Sequence, residues 1–87
     1  MVTIFDIDGN VLREFPELDT LAGADLSCMD LMFADFSGMD LTDTNFWGAD
    51  LYGACFDDAI LDGTNFANTY YEIQPRRGGL THKIRGY

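Results

Sequence analysis

The sequence predicts an all-β chain wound into stacked short extended pieces and opened by a β-hairpin. Three observations predict it. Every fifth residue from 21 to 66 is Leu or Phe: Leu21, Leu26, Leu31, Phe36, Leu41, Phe46, Leu51, Phe56, Leu61 and Phe66. A small or slim residue stands two places before most of them, at Ala24, Ala34, Thr44, Ala49, Ala54, Ala59 and Thr64; the exceptions are Asp19, Met29 and Met39. Ahead of the array, Val2, Ile4, Phe5 and Ile7 are followed by Asp8-Gly9 and then by Val11, Leu12 and Phe15.

The period of five excludes the ordinary elements. On an α-helix, steps of five turn through about 140° and scatter the large residues around the cylinder. On one continuous strand an odd step moves the side chain to the opposite face each time. The pattern works only if each unit is a short extended piece followed by a turn that resets the face. Within a unit the small residue and the Leu or Phe are two apart, so both point inward. Seven units carry Asp or Asn between them: Asp25, Asp30, Asp35, Asp40, Asn45, Asp50 and Asn65.

Units such as ADLSC, ADFSG, TNFWG, ADLYG and TNFAN resemble the Ala-(Asp/Asn)-Leu-x-x unit of pentapeptide-repeat proteins. The resemblance covers about residues 19 to 68. It implies a right-handed quadrilateral β-helix with four units per coil, so that ten units make about 2.5 coils. The residues agree with a 20-residue coil: TNF recurs at 44–46 and 64–66, Phe36 matches Phe56, Leu31 matches Leu51, and Leu21, Leu41 and Leu61 align.

The opening stretch TIFDIDGNVL resembles the first motif of haloacid dehalogenase-type phosphatases. That resemblance would make Asp6 a nucleophile and Asp8 a general acid/base. The residues that should follow are missing. Asn10 stands where Thr is expected, the one lysine is Lys83, and the next fifty residues belong to the repeat. A β-helix needs its open end covered. Residues 1–16 are therefore expected to be a β-hairpin cap with a tight turn, ended by Pro16. Residues 17–71 are expected to form the β-helix and 72–87 a basic C-terminal segment, all within a single domain. No enzymatic activity, cofactor or metal is expected, since no His/Cys cluster is present and His82 stands alone.

The 87 residues carry a net charge of -10, unevenly spread. From Glu14 to Glu72 there are thirteen acids and no Lys or Arg, whereas Arg76, Arg77, Lys83 and Arg85 follow. Composition is globular, with 47% hydrophobic residues, which argues against disorder. The start lacks a basic region followed by an apolar stretch, and no run approaches a membrane span. Cys28 and Cys55 make no disulfide framework and are expected as free thiols. A cytoplasmic protein is expected.

Two outer features are candidate sites. The first is an acidic binding surface of Asp25, Asp30, Asp35, Asp40, Asp43, Asp50, Asp57, Asp58 and Asp62. Each Asp near a turn has a local structural use, but the absence of Lys and Arg between residues 14 and 72 does not follow from foldability. Some pentapeptide-repeat proteins, notably those conferring quinolone resistance, resemble DNA in width and charge and bind DNA gyrase. By that resemblance this chain would mimic DNA against a DNA- or RNA-binding protein, without binding nucleic acid or membrane itself. It is much shorter than the gyrase binders and has no loop interrupting its repeats, so a partner other than gyrase is expected. The second feature is an apolar patch of Met32, Phe33, Trp47 and Tyr52, of the residue types that dominate interfaces. It supports the alternative of a structural or assembly module. The tail residues Arg76, Arg77, Lys83 and Arg85 would fold back on the acidic body, cross to a second copy or bind an external acidic partner, and relatives in the family often dimerise through the C-terminal end.

Overall fold

A computed structural model describes residues 1–70 of the chain. The basic segment with Arg76, Arg77, Lys83 and Arg85 lies outside the described residues. Strand β1 (Val2–Asp6) pairs antiparallel with β2 (Val11–Phe15), in the register Val2↔Phe15, Thr3↔Glu14, Ile4↔Arg13 and Phe5↔Val11. The register slips by one between Ile4 and Phe5, so Leu12 is the extra residue of a bulge. In an unbroken strand Leu12 and Phe15 would face opposite sides. The bulge lets both join Val2 and the fully buried Ile4 against the core. β2 ends at Phe15, immediately before Pro16, as the missing N–H of proline requires.

The hairpin loop is wider than a two-residue turn. Asp6 Oδ1 accepts from the backbone N–H of Asp8 and of Asn10, both at 2.9 Å, and Gly9 takes a φ of 90°. Ile7 thereby leaves the strand, and its N–H donates to the carbonyl of Phe33 at 2.8 Å. The other edge of β1 pairs antiparallel with β3 (Ala34–Asp35), giving the strand order β2-β1-β3. The hairpin is thus a sheet extension of the first winding, and Ile4 fills the end of its interior.

From Asp25 onward the chain returns on itself every 20 residues. Parallel bridges join Asp25 to Asn45 and Asn45 to Asn65, Asp30 to Asp50 and Asp50 to Tyr70, Asp35 to Cys55, and Asp40 to Ile60. Backbone bonds alternate along each column: Asn45 N–H donates to Ala24, for example, and Leu26 N–H donates to Asn45. Nine of the ten units end in a turn closed by a bond to the Leu or Phe carbonyl, as from Ala34 N–H to Leu31 at 3.1 Å. The third turn residue has positive φ throughout, from 59° at Cys28 to 75° at Gly23. This is the requirement of a type II turn, and it is the device that resets the inward face every five residues.

Eight of the ten Leu/Phe positions are buried, from Leu21 to Phe56, while Leu61 and Phe66 are half-buried. Phe36 stacks on Phe56 with ring centroids 5.0 Å apart, and Phe46 stacks on Phe66 at 5.4 Å. Phe36 meets Phe46 edge-on at 5.3 Å, so two aromatic columns interlock across the interior. The slim residues sit where the chain crowds, with Ala34, Ala49 and Thr44 fully buried. The Thr44 hydroxyl donates to the Leu21 carbonyl at 2.7 Å, and Thr64 repeats that bond to Leu41. A buried hydroxyl is thereby satisfied at a place where the repeat otherwise uses Ala.

Candidate interaction surface

The acids divide by local role. Asp25, Asp30, Asp35, Asp40 and Asp50 each turn Oδ1 toward the backbone N–H two residues on, at 3.0 to 3.3 Å. Asn45 and Asn65 make the same bond to Trp47 and Ala67. These are Asx turns, which orient the following turn. Asp43 and Asp58 instead occupy the positive-φ turn position, which Asp tolerates better than most residues. Asp57 and Asp62 precede a positive-φ residue in their turns. Asp25, Asp30, Asp40, Asp43, Asp58 and Asp62 are exposed; Asp35, Asp50 and Asp57 are half-buried.

The Ser27 hydroxyl, then its N–H, holds the Asp25 carboxyl below its ordinary value, and Thr42 does the same for Asp40. Both groups are stabilised as anions by donors that bond the charged form. An ion pair joins the Met1 amine to Asp19 at 3.8 Å, away from the carboxylates of the repeat. Arg13, on the hairpin, is the one Lys or Arg in residues 1–70. The long flank of the molecule is therefore a field of one sign.

Met32, Phe33 and Tyr52 lie together on one turn column. Phe33 N–H donates to the Tyr52 carbonyl at 2.7 Å, and the two rings meet edge-on at 5.5 Å. Tyr70, which the sequence reading did not include, stacks on Tyr52 at 6.1 Å. The 20-residue spacing carried that signal, because Tyr70 continues the Asp30–Asp50 column beside Tyr52. Trp47 is exposed on the preceding turn and, among the described residues, makes no ring contact with this trio. Phe5, Ile7 and Val11 of the hairpin and Ile60 of the repeat are also exposed apolar residues.

Asp6 Oδ1 holds the hairpin loop through the N–H groups of Asp8 and Asn10. Cys28 is exposed and Cys55 half-buried, both free. Burial, and then the carboxylates of Asp57 and Asp35, push the Cys55 thiol up despite an opposing backbone bond. Among the described residues no group of three or more His, Cys, Asp or Glu is placed to hold a metal ion, and no helix is long and apolar enough to cross a membrane.

No curated protein and no solved structure matches the chain. A family model for pentapeptide repeats does match, in eight copies over residues 30–68. Those are residues that bridge at 20-residue spacing with a turn every five, and such repeats imply a β-helix. Residues 30–68 of the chain are an array of pentapeptide repeats.

Proposed function

We propose that this protein is a non-enzymatic, acidic protein-binding module of the cytoplasm, built as a right-handed quadrilateral β-helix of about two and a half coils. It acts as a DNA mimic, occupying the basic groove of a DNA- or RNA-binding protein and so inhibiting or protecting it. The observation that carries this reading is the equivalence of Asn45 and Asn65 with Asp25, Asp30, Asp35, Asp40 and Asp50 in the turn bond. An amide oxygen serves the turn as well as a carboxylate, so the fold does not call for the charge. Like charges on adjacent strands are destabilising, as at Asp30 and Asp50. A rigid row of carboxylates matches a groove that neutralises phosphates, and it attracts that groove over a distance set by the ionic strength.

The test is a pull-down from bacterial lysate with the full chain, eluted by a salt gradient and then by competing duplex DNA. It is repeated with Asp25, Asp30, Asp35, Asp40 and Asp50 all changed to Asn. The reading expects a nucleic-acid-binding protein that DNA displaces and that the Asn variant no longer retains. Retention by the folded Asn variant, unaffected by salt and DNA, would sink it.

A second reading has its own support in the exposed rings of Phe33 and Tyr70 around Tyr52. In it the protein is an assembly module that joins copies or scaffolds a complex through the aromatic patch and the C-terminal segment. Homodimer formation that tolerates high salt and is lost in Tyr52→Ala would favour it.

A further inference from the structure

The aromatic corner is built at a conformational cost that the repeat does not impose. Its turn position is Gly at residues 23, 38, 48, 53 and 63, Asp or Asn at 43, 58 and 68, and the small Cys at 28. Phe33 holds the same position with a φ of 62°, a region where a bulky side chain is unusual. Its ring covers Gly53, the equivalent residue one winding on, which is buried; a Cβ at Gly53 would run into that ring. Phe33 nevertheless stays 40% exposed and Tyr70 60%, so the rings are presented rather than stored. An observed outlier of this kind is a reason to look for function.

The surroundings decide what the rings are presented to. Asp30, Asp50 and Tyr70 form one bridged column, and Asp50 bonds the N–H of Tyr52. Aromatic faces beside carboxylates, in a flank without Lys or Arg from residue 14 to 70, suit a cation with a flat, weakly hydrated face. Guanidinium is that cation: it stacks on rings and forks onto carboxylates, whereas an ammonium is a compact, strongly hydrated charge. A second copy is a poor occupant, because two bodies of net charge -10 repel. We propose that the corner of Phe33, Tyr52 and Tyr70, edged by Asp30 and Asp50, anchors an arginine side chain of a basic protein partner. This rests on the acidic-module reading for the sign of the partner and adds the residue type that it inserts.

The test uses the full chain and two fluorescein-labelled probes, nona-arginine and nona-lysine, followed by fluorescence anisotropy at low salt. Nona-arginine is expected to bind at least about threefold more tightly. Phe33→Gly puts the common residue of this turn in place and is expected to keep the wild-type circular dichroism spectrum. It should weaken nona-arginine by at least about threefold, the size of its preference, and bring the two probes level. Tyr52→Ser should do the same, and Asp50→Asn should weaken both probes. Equal binding of the probes, unchanged by Phe33→Gly, overturns the anchor while leaving the acidic module standing. Binding of neither probe overturns both. An Arg76→Ala/Arg77→Ala chain that binds nona-arginine more tightly would show that its own tail fills the corner, and would overturn the external partner.

Discussion

Asp30 and Asp50 are direct bridge partners on adjacent windings, and each spends one carboxylate oxygen on the N–H two residues ahead. Neighbouring strands lie about 4.8 Å apart, so the two charges face each other with nothing basic between them among the described residues. One column away the same geometry is relieved: Asn45 Nδ2 donates to Asp25 Oδ1 at 3.4 Å, and Asn65 Nδ2 donates to Asn45 Oδ1 at 3.3 Å. Asp50→Asn should therefore keep the turn, remove the repulsion and add an amide donor toward Asp30. We expect it to raise stability by about 0.5–1 kcal/mol. Urea unfolding at low salt checks this, and the gain should shrink at high salt.

The aromatic interior makes a graded prediction. Phe46 is fully buried and touches Phe36, Phe56 and Phe66, whereas Phe66 is half-buried at the end of the described array. Phe46→Ala should cost about 3–5 kcal/mol, and Phe66→Ala clearly less. Equal losses in denaturant unfolding would contradict the picture of an interior that thins toward residue 70.

Surroundings, not backbone conformation, separate two glycines that look alike in sequence. Gly23 and Gly53 both have positive φ, so Ala at either is strained by about 1 kcal/mol. Around Gly23 there is open space, but at Gly53 the Phe33 ring is in the way. Gly53→Ala should be the more damaging by thermal unfolding. In a Phe33→Gly background the two substitutions should become similar, because the obstacle is gone.

Acid should act through Asp25 and Asp40. Both carboxyls are held below their ordinary value in the folded state, by Ser27 and Thr42. Their contribution is thus present above the unfolded value of about 4 and is lost as pH falls through the lower folded value. Melting temperatures followed from pH 5 down to pH 2.5 should fall less steeply in an Asp25→Asn/Asp40→Asn variant, whose amides keep the N–H bonds without titrating. An identical slope would contradict the assignment.

The two thiols should differ in rate. Cys28 is exposed, whereas Cys55 is half-buried with its thiol pushed up by burial and then by Asp57 and Asp35. Near pH 8 a disulfide reagent should react in a fast and a slow phase, and Cys28→Ser should remove the fast one.

Much of this architecture was legible in the chain because a period of five is compatible with few backbones. Leu or Phe at ten consecutive fifth positions names the interior, and the pairing of residues 44–46 with 64–66 names the 20-residue return. The one-sided charge was equally plain, since charge is a property of composition and order alone. Tertiary structure decided which of those residues meet. Local spacing grouped Trp47 with Met32, Phe33 and Tyr52, but the ring contacts run along the stack to Tyr70 instead. It also gave Asp6 its use in the loop, put Leu12 on the core side through a bulge, and laid Phe33 over Gly53. The physical reason is common to all of these. Side chains choose their neighbours across windings and at the seam with the hairpin, where residues 20 apart, or 5 and 35, become adjacent only after the chain has closed on itself.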